Sequence, residues 1–129
     1  MSLVVDTHAL LWLANGSAAL PETVRTRWRE ASSRWVSAAS AYEIAYKTAR
    51  GRLPGGQTLL DGWERLLREL RAQELALSVA HMVRAGSLSW GHRDPFDRML
   101  VAQAQLDGLT LVTADSALQR YAGVSTAWD

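Results

Sequence analysis

Residues 92–115 read HRDPFDRMLVAQAQLDGLTLVTAD, and this stretch predicts a helix followed by a buried strand. Asp94 and Pro95 are typical of a helix start, because Asp caps free N–H groups and Pro fits the first turn. The helix is expected to close at Gly108. Thr110–Thr113 then forms a short apolar strand. A helix that leads directly into a buried strand is the repeating unit of a parallel α/β sheet.

Strands and helices are expected to alternate along the whole chain. The expected strands are Leu3–Val5, Arg34–Ser37, Leu75–Ser78, Thr110–Thr113 and, at an edge of the sheet, Val124–Ala127. The expected helices are residues 8–14, Pro21–Ala31, Ala39–Arg50, Thr58–Ala72, a short helix capped by Ser78, Pro95–Leu106, and a short helix capped by Asp115. This order predicts an α/β fold with a mostly parallel sheet of four to five strands, covered by helices on both faces. Residues 1–129 are expected to form a single domain, because no repeat or long linker interrupts the pattern.

The composition is that of an ordinary folded protein, and it excludes several kinds of site. Of the 129 residues, 48% are apolar and 21% are charged. The chain has no cysteine, which excludes disulfides, thiol catalysis and cysteine-bound zinc and fits a reducing cytoplasm. The net charge of +1 does not by itself indicate nucleic-acid binding. Asp6 and His8 interrupt the N-terminal apolar stretch, and no stretch approaches membrane-spanning length, so neither a signal peptide nor a membrane span is expected.

Four of the 13 acidic residues stand beside apolar sequence, where a charge is costly unless it is compensated. Asp6 follows the first strand, Glu43 lies early in the helix after the second strand, Asp97 begins the helix before the fourth strand, and Asp115 follows that strand. In a right-handed crossover, each strand leaves the sheet at its carboxyl edge, and the next helix starts there. All four carboxylates are therefore expected at the carboxyl edge, where open α/β sheets bind their ligands.

Each of these acids also has a purely structural interpretation. Asp115 is a natural helix cap, and Asp6 could cap the short helix that follows it. Asp94 and Asp97 have the spacing of a capping box, and Glu43 has the same spacing from a preceding serine. Because four such coincidences at one edge are less frequent than one shared site, we interpret the four acids as a site.

Four neighbouring carboxylates raise one another's pKa, and a divalent cation relieves that repulsion. Mg²⁺ and Mn²⁺ take hard oxygen ligands, keep several waters and leave positions for phosphate oxygens. One such ion generates a nucleophilic water, and a second stabilises the leaving oxygen of an in-line displacement. The sequence therefore predicts a site for one or two Mg²⁺ or Mn²⁺ ions and the hydrolysis of phosphodiester bonds.

The chain resembles PIN domains of the VapC toxin type in three internal segments and its tail. These are VVDTHALLWLA at 4–14, VSAASAYEIAYKTARGRL at 36–53, HRDPFDRMLVAQAQLDGLTLVTAD at 92–115 and RYAGVSTAW at 120–128. The resemblance implies a PIN-like three-layer α/β/α sandwich and a metal-dependent endoribonuclease that acts on RNA. It also implies a toxin–antitoxin pair, with inhibition by a cognate antitoxin protein, and a homodimer. It carries the family's acidic quartet onto Asp6, Glu43, Asp97 and Asp115, while Asp94 of the same DPFDR motif is interpreted as the helix cap.

Four polar residues near the acids are candidates for substrate binding. Thr7 and Thr113 could position a metal-bound water or an acid, or they could cap the backbone with their hydroxyls. Arg93 and Arg98 flank Asp97, and they could bind RNA phosphates, pair with the acidic edge, or do both.

The histidine and aromatic side chains nearby are expected to have packing or surface roles. Neither His8 nor His92 has a partner at metal-ligand spacing, so both are expected to be structural or surface residues. Trp90 could stack on a base, but packing is its expected role. Tyr42 and Tyr46 are expected to face the core or a partner protein.

Two other functions are also compatible with the sequence. Val4–Thr7 superficially suits a metal-dependent phosphatase with an aspartyl nucleophile, although phosphatases of the haloacid dehalogenase kind need a second Asp where His8 stands. The other is a non-catalytic module that binds RNA or a partner protein, and the near-neutral charge weakens this interpretation for RNA.

Overall fold

The computed structural model describes all residues from Met1 to Asp129 and contains one five-stranded sheet. All neighbouring strands are parallel, and their order across the sheet is β3-β2-β1-β4-β5. The strands are β1 (Ser2–Val5), β2 (Ser33–Ser37), β3 (Gln73–Leu75), β4 (Thr110–Val112) and β5 (Thr126–Ala127). In the register of the sheet, Val5 lies opposite Val36 of β2 and Val112 of β4.

Eight helices connect and cover these strands. They are α1 (Thr7–Asn15), α2 (Glu22–Glu30), α3 (Ala38–Ala49), α4 (Gly56–Asp61), α5 (Trp63–Leu70), α6 (Val79–Ser87), α7 (Pro95–Asp107) and α8 (Ser116–Arg120). Gly108 ends α7 with a φ of 66°, a left-handed conformation that glycine adopts without a steric penalty. None of the helices has both the length and the apolar character needed to cross a membrane.

The side chains of β1 alternate between two cores on opposite faces of the sheet. Leu3 and Val5 pack with side chains from α1, α2, α3 and α5. Val4 packs instead with side chains from α7 and α8. Each fully buried valine or leucine contributes about 2 kcal/mol to folding, so both faces of the sheet must be covered. The predicted three-layer α/β/α sandwich with a parallel sheet is confirmed.

Two segments differ from the sequence-based expectation. The third strand covers Gln73–Leu75 rather than Leu75–Ser78, because Ser78 leaves the sheet to cap α6. The single helix expected over Thr58–Ala72 is two helices, α4 and α5, which are divided at Gly62. Glycine is the weakest helix former apart from proline, and the N–H of Gly62 closes α4 onto the carbonyls of Thr58 and Leu60.

The strand order reverses at β1, the central strand. From β1 the chain builds β2 and β3 on one side, and it then crosses to build β4 and β5 on the other. The carboxyl ends of β1 and β4 are therefore neighbours at the point where the order reverses. This point is where open α/β sheets form a crevice for ligands.

Candidate active site

Asp6 and Asp115 follow the two strands at this crevice, and each caps a helix. Oδ1 of Asp6 accepts the N–H of Ala9 at 2.8 Å, at the start of α1. Oδ1 of Asp115 accepts the N–H of Ala117 at 2.8 Å, at the start of α8. The capping interpretation of both residues is confirmed, and it leaves the second carboxylate oxygen of each residue outside the cap.

Asp6 is buried, and burial raises its pKa above the usual value for aspartic acid. The Thr113 hydroxyl and the Ala9 N–H oppose the rise, while the charge of Asp115 adds to it. Thr113 also accepts the N–H of Asp115 at 3.0 Å through its hydroxyl oxygen. Thr113 therefore lowers the pKa of Asp6 and holds the backbone of Asp115, which agrees with the predicted possibility that it positions an acid.

Asp97 lies in the first turn of α7. Asp94 caps this helix by accepting the N–H groups of Phe96 and Asp97, as predicted. Oδ2 of Asp97 is 2.7 Å from Nε2 of His92, in the loop before the helix. Burial raises the pKa of Asp97 to about 6; His92 opposes the rise, and the charges of Asp94 and Asp115 add to it. A carboxylate that titrates near neutral pH beside other acids is typical of a site that binds a cation or a proton.

Glu43 lies one turn into α3 and is largely buried. Its Oε2 is 2.7 Å from Nζ of Lys47, the single lysine of the chain. The start of α3 is joined to the start of α1 by a 3.0 Å hydrogen bond from the Thr7 hydroxyl to the Ser40 hydroxyl. Glu43 is not among the charges that raise the pKa of Asp6 or Asp97. The membership of all four acids in one site remains a prediction; the charge of Asp115 acts on both Asp6 and Asp97, whereas Glu43 has no such link.

The donor set suits Mg²⁺ or Mn²⁺ in chemistry, although the four acids do not form a closed cage. No group of three or more Asp, Glu or His side chains converges closely enough to hold an ion by itself. Mg²⁺ is commonly bound by one or two carboxylates, with water and phosphate oxygens completing its shell. Glu43, Asp97 and Asp115 each have one oxygen bound to the protein and a second oxygen that accepts no hydrogen bond from it. Because these free donors are all carboxylate oxygens, they suit a hard divalent cation.

Arg98 has a different role from the phosphate contact that the sequence suggested. Its guanidinium donates to four backbone carbonyls, those of Ala85, Leu88, Trp90 and His92, at 2.7–3.0 Å. Four of its five N–H groups are thereby used within the protein. Arg98 therefore holds the loop before α7 in place, and the expectation that it binds substrate is not supported.

Arg93 is the other expected phosphate contact, and its side chain is exposed at the edge of the site. It makes no hydrogen bond or ion pair within the protein, so its guanidinium is available to a ligand. Thr7 is buried and uses its hydroxyl to donate to Ser40. Of the four expected substrate-binding residues, Arg93 is thus the one whose side chain is free and open to solvent.

Trp90 lies in a stack of three rings that leaves neither of its faces free. Its ring is 4.3 Å from that of Tyr121, with an interplanar angle of 8°, and 4.5 Å from that of His92, at 17°. The alternative in which Trp90 stacks on a base is therefore wrong, and packing is its role. His8 is exposed and lies against Trp12, consistent with the expected surface role.

The sequence analysis missed two buried polar residues that hold the elements of this region together. Gln103 accepts the Ser37 hydroxyl at 2.6 Å and donates to the Ala76 carbonyl at 3.2 Å, which joins α7 to the ends of β2 and β3. His81 is 2.8 Å from Asp107 and links α6 to the end of α7. Gln103 follows apolar residues at helical spacing, which was the one available signal of its burial.

Comparison with known proteins identifies the family. The PIN domain family matches residues 3–124. One similar solved structure is VapBC2 from Rickettsia felis bound to a promoter DNA fragment, with a TM-score of 0.74 and 14% identity over 100% of each chain. A second is DNA-bound VapBC from Salmonella typhimurium, with a TM-score of 0.74 and 18% identity over 98% of this chain and 97% of that one. A third is FitAcB from Neisseria gonorrhoeae, with a TM-score of 0.69 and 16% identity over 96% of this chain and 95% of that one. At these identities the structures establish similarity of fold, and no curated protein matches the sequence. Because the family match spans nearly the whole of it, the chain belongs to the PIN domain family.

Proposed function

We propose that the protein is a metal-dependent endoribonuclease that hydrolyses RNA phosphodiester bonds and acts as the toxin of a VapBC-type toxin–antitoxin pair. The observation that carries this proposal is that Asp6 and Asp115 follow the neighbouring strands β1 and β4 where the strand order reverses, and that the charge of Asp115 acts on both Asp6 and Asp97. Burial makes the charge of Asp6 costly and, to a smaller extent, that of Asp97, and the charge of exposed Asp115 adds to both costs when no cation is bound.

The residues of the site have separate tasks in this proposal. Asp6, Asp97, Asp115 and Glu43 supply oxygen ligands for one or two Mg²⁺ or Mn²⁺ ions. When bound, such an ion supplies charge neutralisation and a water of lowered pKa. Thr113 favours the charged form of Asp6 and holds the backbone at Asp115. Exposed Arg93 contacts a phosphate of the RNA next to the scissile bond.

A cognate antitoxin and a second copy of the chain are the proposed protein partners, in the cytoplasm. The solved structures that share the fold include VapBC complexes and a toxin–antitoxin complex from Klebsiella pneumoniae. On this chain, α3 presents Tyr42 and Tyr46, with 63% and 40% of their surfaces exposed, beside exposed Met82 of α6. Such an exposed aromatic and apolar face is typical of a protein interface, and we assign it to the homodimer.

The direct test of the nuclease is incubation with total cellular RNA, followed by mapping of the cut ends. We expect cleavage with Mg²⁺ or Mn²⁺ and none in excess chelator. Glu30→Gln, which changes an exposed acid just before β2 begins, at the opposite edge of the sheet, is the matched control for Asp6→Asn. RNA binding without metal and without cleavage would favour the non-catalytic module, and hydrolysis of small phosphate esters alone would favour a phosphatase.

The antitoxin is tested through the gene's neighbourhood. We expect a short reading frame immediately upstream of this gene, whose product binds the protein and suppresses its RNA cleavage when the two are co-expressed. Cleavage that is unaffected by that product would count against the toxin–antitoxin assignment while leaving the nuclease intact.

The dimer is tested by the mass of the protein in solution, which Tyr42→Ala and Tyr46→Ala together should halve.

A further inference from the structure

The carboxylate of Asp97 is held by a side chain that is itself tightly fixed. His92 reaches Asp97 through Nε2 at 2.7 Å, and one face of its ring lies against Trp90. Trp90 is covered on its other side by Tyr121, with nearly parallel rings 4.3 Å apart. The three rings therefore form one continuous stack whose end is the hydrogen bond to Asp97.

The loop that carries His92 and Trp90 is also held by a side chain of α7. Arg98 donates to the carbonyls of both residues, at 3.0 Å and 2.7 Å, and to two further carbonyls before them. Arg98 lies on α7, one residue after Asp97. Arg98 thus joins the loop to the first turn of α7, and the loop contributes two rings of the stack, to which Tyr121 adds the third.

Tyr121 connects the stack to the second carboxylate. It is the C-cap of α8, the short helix whose N-cap is Asp115. The position of its side chain requires Gly123, because a Cβ there would stand 2.5–2.7 Å from two ring carbons and the hydroxyl oxygen of Tyr121. The path from Asp97 through His92 and Trp90 to Tyr121 therefore ends on the helix that Asp115 begins.

We propose that Tyr121, Trp90 and His92 are positioning residues that together fix the carboxylate of Asp97 relative to that of Asp115, and so set the affinity of the site for a divalent cation. We call these three residues the aromatic brace. This inference rests on the proposed function, since it assigns the brace a role toward the ion. Partners that orient metal-binding carboxylates commonly change metal affinity by about 10- to 100-fold when they are removed.

The experiment measures Mn²⁺ binding by calorimetry without RNA, and then kcat and KM for RNA at saturating Mn²⁺. Tyr121→Ala removes the end of the brace that is remote from the ion, and we expect Mn²⁺ affinity to fall about tenfold. We expect kcat to recover at high Mn²⁺ and KM for RNA to stay unchanged. His92→Ala should weaken Mn²⁺ binding at least as much from the other end.

Two conservative variants and one destabilised variant serve as controls. Tyr121→Phe keeps the stacked ring, and His92→Gln keeps an N–H donor near the position of Nε2, so both should bind Mn²⁺ within about threefold of wild type. Val24→Ala weakens the core on the opposite face of the sheet. It should lower the melting temperature without changing Mn²⁺ affinity, which separates positioning from general loss of stability.

The outcomes distinguish the brace from the nuclease. Wild-type Mn²⁺ affinity in folded Tyr121→Ala and His92→Ala would overturn the brace and leave the nuclease standing. If Mn²⁺ binding weakens as expected in the two alanine variants but the wild type does not cleave RNA, the brace is supported and the proposed activity is overturned. A wild-type protein that binds no Mn²⁺ would overturn both.

Discussion

The four carboxylates at the sheet edge form two pairs that are held in different ways. Asp6 and Asp115 stand at strand ends, and the backbone N–H groups of the following helices bind them. Their positions follow from the strand order itself, because any chain that folds this way brings the ends of β1 and β4 together.

Asp97 and Glu43 lie inside helices and depend on side chains instead. His92 binds the first, and Lys47 binds the second. Nothing in the path of the backbone requires these two basic residues. The comparison teaches that the fold dictates the positions of two of the four predicted site residues, whereas side-chain pairs determine those of the other two.

The largest expected effect is the loss of RNA cleavage when an acid is replaced. If only one of the two pairs were needed for cleavage, the two pairs would not belong to one site. Replacing one acid from each pair, by Asp6→Asn or by Asp97→Asn, should lower RNA cleavage by about 1000-fold or more, because each removes an anionic oxygen ligand. Both proteins should melt at or above the wild-type temperature in chelator, since each loses a buried charge and asparagine still caps α1. Full activity in either variant would remove that residue from the site.

A second prediction uses pH to measure the cost of holding Asp97 in place. Its pKa is about 6 in the folded protein and 3.8 as the reference value, so the folded state binds the proton more tightly. The proton on Asp97 therefore stabilises the folded state, and this stabilisation is complete below pH 3.8 and is lost as pH rises through 6. Relative to Asp97→Asn, the free energy of unfolding of the metal-free wild type should therefore fall by up to about 3 kcal/mol across this window. Urea unfolding at several pH values measures the difference, and parallel curves for the two proteins would contradict it.

A third prediction concerns Glu43, whose membership of the site is the least secure. Glu43→Gln should reduce cleavage by about 100-fold, less than the loss in Asp6→Asn, because Glu43 is not coupled to the other three acids. Glu64→Gln, on the exposed side of α5, is the matched control. Cleavage rates at saturating Mg²⁺ provide the measurement, and a change of less than about twofold would exclude Glu43 from the chemistry.

The smallest expected effect separates the acids from the substrate contact. Arg93→Gln should raise KM for RNA about threefold, leave kcat and the melting temperature unchanged, and make KM less sensitive to salt, since one phosphate contact is lost. Steady-state kinetics at two salt concentrations would detect this. If kcat fell instead, Arg93 would act on the reacting phosphate rather than in binding.

The sequence predicted well those features that depend on local spacing. The helix caps Asp6, Asp94 and Asp115 were recognisable because a capping residue acts on N–H groups two or three residues away. The alternation of strands and helices likewise placed the acids on one edge of the sheet.

Features that depend on distant contacts were not recognisable. Tyr121 stacks on Trp90 across 31 positions of the chain, and the four carbonyls bound by Arg98 depend on the path of a loop. No local pattern distinguishes an arginine that binds carbonyls from one that binds phosphate. The pair of Glu43 and Lys47 is an intermediate case, because their spacing of four on a helix was a usable signal.

The order of the strands determines when, during folding, the predicted site residues come together. The acids come in equal shares from the two halves of the chain, and they meet when β4 docks against β1, which pairs Leu3 with Thr110. Such a distant pairing is slow to form and is impossible before both partners exist. A nascent polypeptide that contains only the first half of this chain therefore lacks Asp97 and Asp115, and under the proposed function it would leave the RNA being translated intact.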